Sequence, residues 1–498
     1  MITCAVSSLV VALDATVLVP VLPALATDLN GTSILAFWTG TAYLLTHAVL
    51  QPFLAKLSDI IGRREVLTPG IILFGTGSVV CALAHTFIIL LIGRVIQGIG
   101  GAAIISLSQL IFADLVPLRQ RPQYFGLVLG AWAVGSLLGP LIGGLFTEHT
   151  TWRCCFWINL PICAIALPMS VCALSEISRP QGDILSKLFK IDWIGNAVFI
   201  SSLTWFLVAI SWAGISYQWS SWQTLVPVSL GATGTLFTFI YESRAPHPFL
   251  RRSCFNTSTN AAYMCALCQG LTLYMALYYV SFYFAGAKFF LAVKTGTSLF
   301  PATALMLPCS AIVSALMTHF LRIRIFIWLG FATSTVASGL FISWDSTTQT
   351  WYWAFTLALF GAGMGMILSS VNFSIQASVD ADDAGQAAAL YAFVRSLGMS
   401  IGVAVGGTVF QNCMRQMLMR LGLDEAEQLA RDAEAYVSVL RGLPAGERQS
   451  NILAGYVAGF RGIWISMLTF CGVGLVVSAL IRAAKIGQNG HIENSVHA

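Results

Sequence analysis

The chain has 498 residues, of which 57% are hydrophobic and only 9% charged, and its mean hydropathy is +0.79. A soluble domain carries roughly a quarter charged residues, so this composition excludes a water-solvated globule and makes lipid the solvent. The net charge of +5 does not point to nucleic acid, because the basic residues fall in short segments between apolar runs rather than along one stripe.

Windows of about 19 residues place helical spans at 2–25, 34–54, 66–84, 87–111, 123–146, 155–175, 191–212, 222–241, 258–284, 293–319, 325–344, 351–376, 385–411 and 460–482, fourteen in all. No cleavable signal is expected, since the first span follows Met1 almost at once. An even count puts both ends on one side of the bilayer. Loops after even-numbered spans hold Lys56, Arg63, Arg64, Arg119, Arg121, Arg179, Lys187, Lys190, Arg244, Arg251, Arg252, Arg322 and Arg324. The short loops after odd-numbered spans hold only Arg153, Lys288 and Lys294. The positive-inside rule therefore assigns both termini to the cytoplasm. Asp380, Asp382 and Asp383 depart from that pattern, and capping of the thirteenth span accounts for them.

The one long loop, 412–459, falls outside. In it Leu429, Ala433, Tyr436, Val437 and Leu440 recur at helical spacing, which fits an amphipathic helix on the outer face or a cap over a substrate path. The sequon Asn30-Gly31-Thr32 lies too near the membrane for glycosylation, and Asn256-Thr257-Ser258 falls inside. Most of the twelve cysteines (Cys4, Cys81, Cys163, Cys265, Cys471 among them) lie within spans, where a thiol acts as a small apolar group. The CALC at 265–268 has no second pair to complete a metal or redox site.

Four segments carry more than hydropathy. AKLSDIIGRR (55–64) is a charged island between the second and third spans. LIGRVIQGIGGAA (91–103) sets Arg94, Gln97 and Gly101 on one helical face, and an Arg at that depth must face protein or a water-filled cavity. LDATVLVPVLP (13–23) supplies Asp14 as a partner. At about 1.5 Å of rise per residue, Asp14 lies about 15 Å and Arg94 about 11 Å from the outer ends of their spans, so the levels agree. GSLLGPLIGG (135–144) combines glycines four apart, which leave a groove for another helix, with a kink at Pro140.

Burial favours the protonated form of an Asp and a neighbouring guanidinium favours the charged form. A carboxyl held between the two can take and release a proton, so Asp14 is the candidate proton carrier and Arg94 its tuner; an inert structural ion pair is the alternative. Polar residues at helical spacing suggest cavity walls: Thr39, Tyr43, His47 and Gln51 on span 2; Gly361, Gly365, Ser369, Asn372 and Gln376 on span 12; Trp132 and Ser136 on span 5; Gln269, Tyr279 and Tyr283 on span 9. Together with Gln97, this neutral, aromatic lining suits a bulky and moderately apolar ligand. Interhelical packing competes as a reading at each of these positions.

This ordered set of segments resembles the major facilitator superfamily of transporters and, within it, the fourteen-span drug:proton antiporters of the fungal multidrug and toxin efflux type. Ala55 stands where the family's inter-span motif has Gly, and Val19 and Pro20 depart from its span-1 motif. In the second half, LRIRIF (321–326) keeps only the arginines of the inter-span motif. The resemblance implies an all-α polytopic membrane protein with six-helix bundles at 1–175 and 258–482, a two-span linker at 176–257 and a cytoplasmic tail at 483–498. It implies an inner gate in which Asp59 faces the helix start near Ala384 and Arg63 and Arg64 work with Asp114. It also makes Gly135, Gly139, Pro140, Gly143 and Gly144 the motif linked to export.

The function expected is proton-coupled efflux of a small organic molecule by a monomer, with the lipid bilayer, protons and substrate as partners, no nucleic acid and no cofactor. The plasma membrane is the expected location, with the vacuolar membrane as alternative. Proton-coupled uptake, for example of siderophores, and a non-transporting sensor are the other readings. An enzyme is not expected: His47, His149, His247 and His319 are scattered, and no ATP-binding Gly-rich loop is present.

Overall fold

The computed structural model describes residues 2–29, 31, 33–116, 121–173, 191–214, 217–242, 244, 251–320, 322–444, 446–482, 485–486 and 492–493. Asn30 and Thr32 of the first sequon, and Arg119, Arg179, Lys187, Lys190 and His247, lie outside the described residues. The architecture is helical: α1 (Ile2–Val17), α2 (Leu22–Asp28), α3 (Ser33–Ile61), α4 (Arg63–Ala82), α5 (Phe87–Leu115), α6 (Arg121–His149), α7 (Cys154–Trp157), α8 (Asn159–Ala173), α9 (Trp193–Trp212) and α10 (Trp222–Glu242). Then follow α11 (Thr257–Gly286), α12 (Ala292–Ser298), α13 (Phe300–Phe320), α14 (Ile323–Phe341), α15 (Thr350–Gln376), α16 (Ala384–Arg420), α17 (Ala426–Arg431), α18 (Ala433–Gly442) and α19 (Glu447–Ser478). A two-residue antiparallel pair, Lys485–Ile486 with Ile492–Glu493, is the only sheet among the described residues.

A helix stands in each of the fourteen predicted windows, and by length and composition eleven described helical segments are long and apolar enough to cross a membrane. Several spans differ in detail for local reasons. The first breaks between α1 and α2 at Pro20, which has no N–H to give to the helix. The α3–α4 turn pivots on Gly62, whose φ of 128° is open to glycine and disfavoured for other residues. α16 and α19 run 37 and 32 residues, longer than the roughly 20 a bilayer needs. Their charged ends, Arg415, Arg420, Glu447 and Arg448, therefore continue as helix beyond the apolar windows, and the predicted 412–459 loop is largely helical.

Packing sorts the helices. On one side α1 lies along α6 and α8, and α5 lies between α3 and α4. On the other, α13 and α14 flank α15, while α11, α16 and α19 pack together. α9 and α10 pair with each other, and α9 touches both α3 and α16. The two sides meet where α16 packs on α3 and α5, and where α6 packs on α12 and α13. α11 is buried along nearly its whole length, whereas α10 exposes Trp222, Leu225, Leu230, Leu236 and Phe237, the surface that only lipid can solvate.

Candidate functional site

Asp14 and Arg94 meet at the centre of one side. Asp14 is fully buried and Arg94 is 1% exposed. Arg94 Nη1 donates to Asp14 Oδ2 at 2.6 Å. The other carboxylate oxygen accepts from Gln97 Nε2 at 3.1 Å and Asn159 Nδ2 at 2.8 Å. Ser78 Oγ accepts from the same two amides, at 2.7 and 3.3 Å. Helices α1, α4 and α8 thus each place one polar group on this cluster, and α5 places two, Arg94 and Gln97. Gln97 belongs to it, and it is not among the residues lining the central cavity. Asn159 and Ser78 are members that sequence reasoning missed.

Arg94 has three further supports: Nε donates to the Thr39 carbonyl oxygen at 3.0 Å, Nη1 to Gln97 Oε1 at 2.7 Å, and Tyr43 offers its ring face 4.3 Å away. These matter chemically. If Asp14 takes a proton, the guanidinium keeps acceptors and an aromatic face, so its buried charge is not stranded.

The glycine motif positions α1. An added methyl at Gly135 would meet Leu9 and Leu13, at Gly139 the Thr16 side chain, and at Gly143 the Val17 carbonyl oxygen. One edge of α6 is thus a seat for the helix that carries Asp14. The other edge faces the opposite side of the molecule: Gly144 abuts Ala292, and the Pro140 carbonyl abuts Gly296. Glu148 Oε1 accepts from the Val293 N–H at 2.8 Å beside them.

A central cavity of about 40 Å³ lies between the sides. Tyr43, His47 and Trp132 line it, together with three residues that have no place in the sequence reading, Tyr274, Tyr391 and Arg395. The Tyr43 hydroxyl and His47 Nδ1 are buried without partners. Gln51 bonds Ser396, itself on the wall, at 2.9 Å. Gln269 sits one layer behind, donating to the Met364 carbonyl oxygen at 3.2 Å. Asn372 and Gln376 lie elsewhere: Gln376 donates to Asn372 Oδ1 at 2.9 Å and accepts from Arg121 Nη1 at 2.8 Å. Gly361, Gly365 and Ser369 face α13, meeting Ala302, Met306 and Ser310, so this edge of span 12 is a packing seam.

At the α3–α4 turn, Arg63 donates to Asp59 at 2.5 Å and to Asp114 at 3.0 Å. Asp114 lies beside Gly385 in the first turn of α16, and Asp59 shares a small pocket with Gln386 and Arg251. Arg251 in turn pairs with Asp383 at 2.6 Å, a link between this end and the cap of α16 that sequence reasoning missed. Arg64 is half-buried and makes no ion pair among the described residues.

At the opposite end α18 touches α2, α3 and α11, so the predicted amphipathic helix lies over the junction of the two sides, on protein. Beneath it is a cavity of about 160 Å³ lined by Tyr278, Tyr279, Phe282, Glu434 and Arg441 among others. Glu434 Oε2 is buried without a partner, and burial pushes this carboxyl up to about 7. A carboxyl whose folded value lies above its unfolded one weakens the fold as pH rises through the interval. Glu434→Gln is therefore expected to stabilise the protein above about pH 7 and to bring no gain below pH 4.5. The expected gain is about 1–3 kcal/mol, read from melting curves across that range.

A family model described as Major Facilitator Superfamily matches residues 4–403. The chain belongs to the Major Facilitator Superfamily. This facilitator is 36% identical to MFS transporter L2 of a Phoma species over 95% of its own length and 80% of the relative's. It is 32% identical to the MFS efflux transporter aclA of Aspergillus oryzae, covering 98% of this chain and 88% of that one. Among solved structures, its fold matches a bacterial homolog of the human lysosomal transporter Spinster with a TM-score of 0.62 at 16% identity, covering 96% and 95% of the two chains. The facilitator is a multi-pass membrane transporter of small molecules and not an enzyme.

Proposed function

We propose that this transporter is a proton-driven exporter of a small organic molecule of the drug, toxin or secondary-metabolite type. It works by alternating access as a monomer, with the proton gradient as its energy source and no cofactor. It resides in the plasma membrane with both termini in the cytoplasm, which puts α18 on the outer face. The observation that carries the reading is the wholly buried Asp14–Arg94 pair, whose guanidinium keeps other acceptors when the carboxyl is neutral.

Coupling follows from the neighbours of that pair. Tyr43 lies against Arg94 and also lines the central cavity, so substrate and proton act on adjoining groups. Neutralising Asp14 weakens the tie between α1 and α5. α1 rides on α6, whose far edge closes against α12, so a shift of α1 reaches the contact that separates the cavity from the outer face. The efflux direction rests on the resemblance of GSLLGPLIGG to the antiporter motif and on the similarity to the efflux transporter of Aspergillus oryzae.

The test is deletion of the gene in its host with analysis of cell extracts and medium. Loss of an exporter raises the intracellular level of its cargo and lowers the level outside. An importer gives the opposite change, and that result would overturn the direction assigned here.

A further inference from the structure

Arg395 lies on α16 and lines the central cavity, yet among the described residues no carboxylate pairs with it. Its Nε and Nη2 are buried and have no hydrogen-bond partner, and among the described residues it forms no ion pair. Its guanidinium carbon stands 5.0 Å from the Trp132 ring, contributed by α6 of the opposite side. Arg94 is the contrast: that guanidinium is matched by a carboxylate and two further acceptors. Arg does not lose its proton in proteins, so Arg395 is a permanent cation. An uncompensated charge at this depth is costly, and a transporter retains one where a ligand completes it.

The two free donors are adjacent. Nε and Nη2 form one edge of the guanidinium, the side-on fork that grips both oxygens of a carboxylate. Trp132, Tyr274, Tyr391 and Met399 line the same cavity with aromatic and apolar surface, beside the polar His47, Gln109 and Ser396. We propose that Arg395 is the anion-recognition residue of the central cavity and that the exported molecule is an organic acid, an apolar or aromatic body carrying a carboxylate. This inference rests on the export reading and narrows its substrate class.

A matched pair of probes tests it: 1-pyrenebutyric acid and its methyl ester, with the same body and differing in the carboxylate. Binding at neutral pH to the full-length protein in nanodiscs is read by energy transfer from tryptophan to pyrene. The wild type is expected to bind the acid about 10- to 100-fold more tightly than the ester. Arg395→Gln should bring that ratio to near one by weakening the acid alone, and Arg395→Lys, a point charge without the fork, should keep part of it. Ligand-free Arg395→Gln should also melt at a higher temperature than the wild type, because an unpaired buried charge has gone. A wild-type ratio near one, or equal weakening of both probes by Arg395→Gln, overturns the proposal. Proteoliposomes separate the two levels of inference. If a pH gradient moves the ester while the binding ratio is near one, only the acid preference falls. If the gradient moves neither probe, the export reading falls and takes this inference with it.

Discussion

Asp14→Asn is expected to abolish transport driven by a pH gradient while leaving a folded protein that still exchanges substrate down its own gradient. Asn has the shape of Asp but no proton to trade, so coupling is lost and alternating access is not. The substitution also leaves Arg94 without its carboxylate, and breaking a buried pair costs about 3–5 kcal/mol. The remaining partners of Arg94, Gln97 Oε1 and the Thr39 carbonyl oxygen, soften that loss, so the lower end of the range is expected. A second variant separates coupling from stability. Asp14→Asn with Arg94→Gln removes both charges and should recover most of the melting temperature without recovering gradient-driven transport. An inert structural pair predicts the reverse, with stability and transport returning together. Melting curves and proteoliposome flux on the two variants decide between them.

The Asp14–Arg94 pairing was legible because two lone charges stood in apolar runs at matched depth, and in a membrane such charges need each other. Asn159 and Ser78 carried no such mark: small neutral polar residues occur throughout these spans, and only the assembled fold selects the pair that bonds Asp14. Arg395 did carry the mark. It stands alone in FVRSLG (393–398), inside a predicted span, and the reasoning applied to Arg94 picks it out equally well.

The span-12 stripe shows the limit of periodicity. Residues at helical spacing share a face, but spacing does not say which neighbour that face meets, and Gly361 and Gly365 meet α13. Hydropathy windows likewise end where charges begin, whereas a helix does not. Met, Gln, Arg and Leu in 414–420 are good helix formers, so α16 continues to Arg420. Pro20, noted as a departure from the family pattern, proved to be the structural reason for the break in the first span.

The glycine motif has two edges, and substitutions on them should fail in different ways. Gly143→Val drives a branched side chain into the Val17 carbonyl oxygen, a backbone atom that cannot rotate away. Overpacking of this kind costs about 1–3 kcal/mol and displaces α1 with Asp14, so both melting temperature and transport should fall. Gly144→Val leaves the α1 seat intact and instead meets the backbone of Ala292 and Val293 across the junction of the two sides. Its clash exists only when that junction is shut, so it disfavours the closed arrangement at the α18 end and should stop transport with little loss of stability. A cysteine placed at Ala285, on the wall of the cavity beneath α18, reports the difference. Its labelling by a membrane-impermeant maleimide, followed by mass spectrometry, should rise in Gly144→Val and stay near the wild-type level in Gly143→Val. Gly472→Ala, at a position where an added methyl meets nothing within 4 Å, is the control and should change neither readout. Equal labelling in the two valine variants would mean that the edges of α6 do not act separately, and the proposed route from Asp14 to the junction would fail with them.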